Sequence, residues 1–122
     1  MTQPLHVLLV DDRPSNLDSL QLRLQRNGYR TSLVPNAREA LARAQSDPPD
    51  VAVLDVSAPE PDGFEACKAL KQHLPQVPVI IYAASKIAND STAAQTCGAD
   101  EIIEAPADRA LVLQRIVKLL AR

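Results

Sequence analysis

Short apolar runs alternate along this chain with longer stretches in which apolar residues recur every third or fourth position. The short runs predict buried strands, and the longer period predicts helices that pack against them. Strands are predicted at residues 5–10, 29–34, 51–54, 79–82 and 100–103, and the fourth of them ends at Ala83-Ala84. The second run is more polar than the others, so we expect that strand at an edge of the sheet.

A helix is predicted after each strand. The first has leucines at helical spacing and stops near Gly28, and Asn36 is a candidate cap for the second. The third is predicted at residues 64–74, after a turn-rich passage at residues 57–63. The fourth, at residues 85–97, has little apolar surface, so we expect it to be mobile.

The last helix, which follows Pro106, has more large apolar residues than one buried face needs. These residues are Leu111, Val112, Leu113, Ile116, Val117, Leu119 and Leu120. Two interpretations stay open. The extra side chains either form an interface, such as that of a homodimer, or flank the stripe that faces the core.

Alternating strands and short-looped helices predict a doubly wound α/β domain with a parallel sheet. The expected form is a flavodoxin-like (βα)5 fold with five strands in the order 2-1-3-4-5. A chain of 122 residues with 46% hydrophobic residues can bury one real core but not two. We therefore expect one domain over residues 1–122.

Charge and composition narrow the class of function. The net charge of −2 comes without a cluster of Lys or Arg, which argues against nucleic acid as a partner. The sequence lacks a signal-peptide pattern and an apolar run long enough for a membrane span, so we expect a cytoplasmic protein. Cys67 and Cys97 lack metal-ligand spacing and are interpreted as reduced packing thiols. His6 and His73 are interpreted as surface or capping residues.

Three carboxylates are predicted to meet at the carboxyl edge of the sheet: Asp11 and Asp12 after the first strand, and Asp55 after the third. Two carboxylates about 4 Å apart repel by roughly 4 kcal/mol at an effective dielectric of about 20, so the cluster favours a cation. Oxygen ligands without His or Cys favour Mg²⁺. An exposed Asp beside Mg²⁺ can also accept a phosphoryl group as a nucleophile. Three separate solvated carboxylates are the alternative.

Over essentially its full length, the chain resembles a receiver domain of bacterial two-component response regulators. The resemblance rests on several short motifs: Asp11-Asp12, Asp55 with Pro59 and Asp62-Gly63, Gly98-Ala99, and Pro106.

The resemblance implies a specific site. Asp55 would be the phospho-acceptor, and Asp12 and Asp55 would bind Mg²⁺ directly together with the Ser57 carbonyl. Asp11 would act through a water molecule. The implied phosphoryl donor is a sensor histidine kinase or a phosphotransfer protein.

The chain departs from the family pattern at three positions. The family has Thr or Ser at the end of the fourth strand, where this chain has Ala83. The family Lys before the proline after the fifth strand is Ala105 here, and the usual aromatic residue of that strand is Ile102. Ser85 or Lys86 could substitute for the missing groups if their loop folded over the site.

Two functions therefore compete. One is a receiver that accepts phosphate on Asp55 with altered switching and acts through a downstream protein partner. The only catalytic activity expected of it is its own phosphorylation from a phosphodonor. The other is a pseudo-receiver, a protein-interaction module that works without phosphorylation. A nucleotide-binding enzyme of similar fold is disfavoured, since no glycine-rich phosphate loop follows the first strand.

Overall fold

The structure is a computed structural model that describes residues 4–11, 17–56, 61–84, 96–105 and 109–121. Within those residues the chain forms five strands and four helices. In chain order they are β1 (His6–Val10), α1 (Asp18–Arg26), β2 (Arg30–Val34), α2 (Ala37–Ser46), β3 (Val51–Val56), α3 (Pro61–His73), β4 (Val79–Ala84), β5 (Glu101–Ala105) and α4 (Arg109–Leu120). The predicted helix at residues 85–97, with its expected mobility, lies outside the described residues except for Thr96 and Cys97.

All five strands are parallel and lie in the order β2-β1-β3-β4-β5. This confirms the predicted flavodoxin-like order and the edge position of the polar second strand. A parallel sheet of this order needs helical crossovers on both of its faces, and the described helices cover both. Its central strands are therefore buried on two sides.

Two apolar layers hold the helices against the sheet. One layer, on the side of α2 and α3, contains Leu8, Leu54, Ile81, Ala44 and Leu70 among others. The other, on the side of α1 and α4, contains Leu9, Val53, Ile80, Leu24 and Ile116. Alternate residues of β1 and β3 enter opposite layers, which explains why these strands are nearly continuous apolar runs.

Two predicted helix signals are confirmed. The Asn36 side chain accepts a hydrogen bond from the Glu39 N–H at 2.9 Å, as an N-cap should. Gly28, just past the end of α1, has a φ of 87°, a left-handed conformation that glycine adopts without steric cost. These two ends fix where α1 stops and where α2 starts.

Three predicted boundaries were wrong. β3 continues through Asp55 to Val56 because β4 pairs with both residues, opposite Tyr82 and Ala83. β5 covers Glu101–Ala105 rather than residues 100–103 for the same reason, since all five of its residues pair with Ile80–Ala84 of β4. α3 begins at Pro61 instead of residue 64, because a proline lacks only an N–H that the first helical turn leaves unpaired anyway.

The prediction for His6 was also wrong. It is the first residue of β1, only 1% exposed, and therefore neither a surface nor a capping residue. Its Nε2 lies 2.8 Å from the Ser32 hydroxyl on β2, and its Nδ1 lies 3.5 Å from the Pro48 carbonyl oxygen. β1 is flanked by strands on both sides, so a polar ring there is buried and must find partners. His73 is the last residue of α3 and is exposed, in agreement with its prediction.

The apolar residues of α4 divide between core and surface. Val112, Ile116 and Leu119 are buried against the sheet, whereas Leu111 and Val117 are exposed. Leu113 and Leu120 flank the core. In the part of the chain that the structure describes, no helix is both long enough and apolar enough to cross a membrane.

Candidate functional site

Two of the three predicted carboxylates lie at the carboxyl edge of the sheet. Val10 of β1 is opposite Leu54 of β3, and Asp11 and Asp55 are the next residues along those two strands. Neighbouring strands are about 4.8 Å apart, so this register brings the two acids side by side. The third, Asp12, lies outside the described residues, and so does Ser57.

Asp11 is a buried carboxylate held by the chain that begins α1. It is 1% exposed, and its Oδ2 accepts a hydrogen bond from the Leu17 N–H at 3.1 Å. Its own N–H donates to the Val34 carbonyl at 3.0 Å, which fixes it against β2. A negative group at the start of a helix is stabilised by the unpaired N–H groups there, which offsets part of the cost of burying it.

Asp55 differs from Asp11 because it is partly exposed. It lies within β3, opposite Tyr82 of β4, and its two strand neighbours Leu54 and Val56 belong to the layer on the α2 and α3 side. Side chains alternate along a strand, so the Asp55 carboxylate belongs to the opposite side. β3, which pairs with β1 up to Leu54 and with β4 through Val56, thus positions a carboxylate that solvent can reach.

The donor set at this edge is chemically suited to a hard divalent cation. Both described donors are carboxylates, the oxygen ligands that Mg²⁺ prefers. Residues 4–11, 17–56, 61–84, 96–105 and 109–121 contain no group of three or more His, Cys, Asp or Glu that could hold a metal ion. The predicted cluster reaches three carboxylates only with Asp12, which is not among those residues.

The positions predicted to depart from the family pattern lie on β4 and β5. Ala83 is 1% exposed and packs in the core layer on the α2 and α3 side, opposite Val56 and Glu104. Ala105 is the last residue of β5, opposite Ala84. Ile102 is partly buried against the same core layer. Ser85 and Lys86, the proposed substitutes, lie outside the described residues.

Sequence reasoning missed a second polar centre, at the amino edge of the sheet. The Lys71 ammonium donates to the carbonyls of Pro75 and Val77 and to Asp100 Oδ2, at 3.0–3.2 Å. Asp100 also accepts from the Val79 N–H at 2.8 Å. The only sequence signal was that Lys71 falls at the edge of an apolar stripe. These bonds join the end of α3 to the starts of β4 and β5, so the centre is structural.

Sequence comparison identifies the domain. Residues 7–117, from β1 into α4, match the family model of the response regulator receiver domain. The chain belongs to this family. It is thus a receiver domain of the kind found in the response regulators of two-component signalling.

Curated relatives extend the same result. This receiver domain is 35% identical to the response regulator MprA of Mycolicibacterium vanbaalenii, over 98% of this chain and 52% of that protein. It is 34% identical to the alkaline phosphatase synthesis transcriptional regulatory protein PhoP of Bacillus subtilis, over 95% of this chain and 48% of that protein. The chain spans about half the length of these curated relatives.

A solved structure agrees with the sequence relatives. The signal receiver domain of a signal transduction histidine kinase from Syntrophus aciditrophicus superposes with a TM-score of 0.85 at 32% identity. The match covers 95% of this receiver domain and 89% of that chain.

Proposed function

We propose that this receiver domain takes a phosphoryl group onto Asp55 in a phosphorelay. The donor would be a sensor histidine kinase or a phosphotransfer protein. The observation that carries the proposal is the pairing of a partly exposed Asp55 with a buried Asp11 on adjacent strand ends. A reachable carboxylate beside a fixed one suits a nucleophile and a metal-holding partner.

The transfer is a displacement at phosphorus. An Asp55 oxygen attacks the phosphorus of a phosphohistidine, the new O–P bond forms, and the N–P bond breaks, so that the imidazole leaves and takes up a proton from solvent. The product is an acyl phosphate. Asp11, Asp12, Asp55 and the Ser57 carbonyl would hold Mg²⁺, which when bound neutralises charge on the transferred oxygens.

We further propose that phosphorylation has a weakened effect on the fold. Ala83 offers a buried methyl group where a hydroxyl would bind the phosphoryl oxygens, and Ala105 offers no cation. A ligand shifts a conformational equilibrium only through contacts that differ between the two states. Without those contacts, phosphorylation should change the conformation of β4 and β5 little. Ile102 has no aromatic ring that could change its orientation.

The output would then depend on a protein partner or on further parts of a longer chain. We propose residues 1–122 as one receiver unit that lies in the cytoplasm, since both of its cysteines are buried thiols rather than a disulfide.

The exposed Leu111 and Val117 of α4 are a candidate surface for a homodimer. Light scattering over a range of protein concentrations tests this dimer, and a monomer at the highest concentration would exclude it.

A pseudo-receiver is the second candidate function. Ala83 favours it, because the core layer on the α2 and α3 side encloses this methyl group completely. In that case the domain binds its partner with or without a phosphodonor. The same protein–protein contact would persist in an Asp55→Asn variant.

Intact-protein mass spectrometry after incubation with acetyl phosphate and Mg²⁺ separates the two functions. The proposal predicts one phosphoryl adduct on the wild-type protein and none on Asp55→Asn. Asp18→Asn, which removes an exposed carboxylate from the first turn of α1, is the matched control and should still form the adduct. A wild-type protein without an adduct, while Mg²⁺ still binds, would contradict phosphorylation and favour the pseudo-receiver.

A further inference from the structure

The two cysteines of the chain are separated by 30 residues in sequence but are neighbours in the fold. Cys67 lies in the middle of α3, and Cys97 lies just before β5. The Cys67 Sγ is 3.5 Å from the Cys97 carbonyl oxygen, and both side chains belong to the same apolar layer. Two cysteines that contact each other inside one core layer are more than the separate packing groups that the sequence predicts.

The environment makes the two thiols unequal. Cys67 is 0% exposed and Cys97 is 5% exposed. A hydrogen bond from the Cys67 thiol lowers the pKa of Cys97, with help from the Ala99 backbone N–H. The same hydrogen bond and its burial raise the pKa of Cys67. Cys97 is therefore the more reactive and the more reachable sulfur, since the thiolate is the nucleophile.

We propose that Cys67 and Cys97 form a reversible oxidation site, which a peroxide converts into a disulfide that ties α3 to the start of β5. Nothing in this proposal depends on Asp55 or on Mg²⁺. The site lies on the opposite side of α3 from solvent, within the core layer of Phe64, Leu70 and Ala83.

The chemistry takes two steps. The Cys97 thiolate attacks one oxygen of hydrogen peroxide, the O–O bond breaks, and with one proton the products are a sulfenic acid and water. The Cys67 sulfur then attacks the Cys97 sulfur, the S–O bond breaks, and hydroxide leaves with the Cys67 proton as a second water. Two thiols are oxidised and one peroxide is reduced. An S–S bond is about 2.05 Å long, and the contact between the Cys67 thiol and the Cys97 carbonyl already places the two residues side by side.

The disulfide would stabilise the fold against unfolding. It closes a loop of 30 residues in the unfolded chain, and for a domain of this size it should raise Tm by roughly 10 °C. Cytosolic disulfides are usually transient and redox-sensing, so reduction by a dithiol should restore the original Tm.

Peptide mapping of the native wild-type protein tests the site. After treatment with hydrogen peroxide and blocking with an alkylating agent, non-reducing trypsin digestion should yield residues 44–68 linked to residues 87–109. The linked peptide should disappear on reduction, and Tm should fall back with it. Two singly alkylated peptides, or a link found only in denaturant or between two molecules, would overturn the proposal.

Single variants test the order of the two steps. Cys67→Ser should leave a Cys97 sulfenic acid that dimedone captures, because the resolving thiol is gone. Cys97→Ser should form no dimedone adduct, because the buried, protonated Cys67 does not react. A dimedone adduct on Cys67 would overturn the assigned roles. Peptide mapping uses only the wild-type protein, so it still tests the disulfide if a variant fails to fold.

Discussion

The two halves of the carboxyl edge carry opposite chemistry. The β1 and β3 side presents Asp11 and Asp55, side by side in register. The β4 and β5 side presents Ala83 and Ala105, an alanine at each position where the family resemblance leads us to expect a hydroxyl or a cation. In the proposed function, the first half holds the cation and reacts with the phosphoryl donor. The second has no polar side chain at these positions to respond.

This contrast separates two tasks that a receiver combines. Holding a metal and accepting a phosphoryl group needs oxygens in fixed positions. Converting the new charge into motion needs groups that contact it in one conformation and not in another. In this chain, the two tasks can be measured separately: phosphorylation of Asp55, and the conformational change that follows it.

On the β1 and β3 side, Asp11→Ala should have the largest effect on stability and on Mg²⁺ binding. The variant removes the acceptor of the Leu17 N–H, and a hydrogen bond to a charged group is worth about 1.5–3 kcal/mol. With Mg²⁺ present, denaturant titration should show a loss of that size in the free energy of unfolding, together with weaker Mg²⁺ binding. Asp11→Asn is the control: it keeps an oxygen acceptor, so it should lose Mg²⁺ affinity with a smaller loss of stability. Equal losses in both variants would contradict this account.

Ala83→Thr places a hydroxyl on the β4 and β5 side of the carboxyl edge. The site is 1% exposed and packed, so two extra heavy atoms should lower the free energy of unfolding by about 1–3 kcal/mol. Ala83→Ser, which adds one atom, should cost less. Denaturant titration with and without acetyl phosphate measures both variants. Because the new hydroxyl gains the phosphoryl oxygens as a partner, the loss should shrink on phosphorylation. A loss unchanged by the phosphodonor would mean that position 83 does not sense Asp55.

Ala105→Lys adds the missing charge at the end of β5. The phosphoryl adduct should form roughly tenfold faster, which corresponds to about 1.4 kcal/mol in the activation free energy. This is less than the roughly 4 kcal/mol that a charge pair 4 Å apart gains at an effective dielectric of about 20. Time-resolved mass spectrometry measures the rate. Ala105→Gln has similar length without charge and should not accelerate it. The gain should also shrink as salt is raised.

Asp47→Asn should have the smallest effect, because it acts at the amino edge, away from both halves. Asp47 forms an ion pair with Arg30, which holds the pKa of that carboxyl below its ordinary value of 3.8. A lowered pKa stabilises the fold above about pH 4 and loses that contribution as the pH falls below it. Both groups are exposed, so the stability change should be slight at neutral pH and vanish in acid. Formation of the Asp55 adduct should not change.

Much of the fold could be predicted because the interiors of β1, β3 and β4 are apolar runs that only a sheet covered on both faces can bury. The strand ends could not, since Asp55 and Ala83 pair with neighbouring strands regardless of their polarity or size. His6 was misassigned for a related reason. Its burial depends on Ser32, a partner on another strand that no local pattern reveals.

The positions of two of the predicted site residues could be inferred in a similar way. The spacing of acids after predicted strands placed Asp11 and Asp55 at one edge, because parallel strands end together. Their difference in burial could not be read from the sequence, since it depends on tertiary contacts such as that of Asp11 with the Leu17 N–H. The Cys67 and Cys97 pair was also out of reach, because a contact across 30 residues exists only in the fold.

Hydrogen exchange before and after phosphorylation of Asp55 tests the separation of the two halves most directly. The account predicts that amide protection changes in peptides around residues 11 and 55, while β4 and β5 keep their protection. Equally large changes throughout β4 and β5 would contradict it. They would mean that the phosphoryl group is sensed without a hydroxyl at position 83 or a cation at position 105.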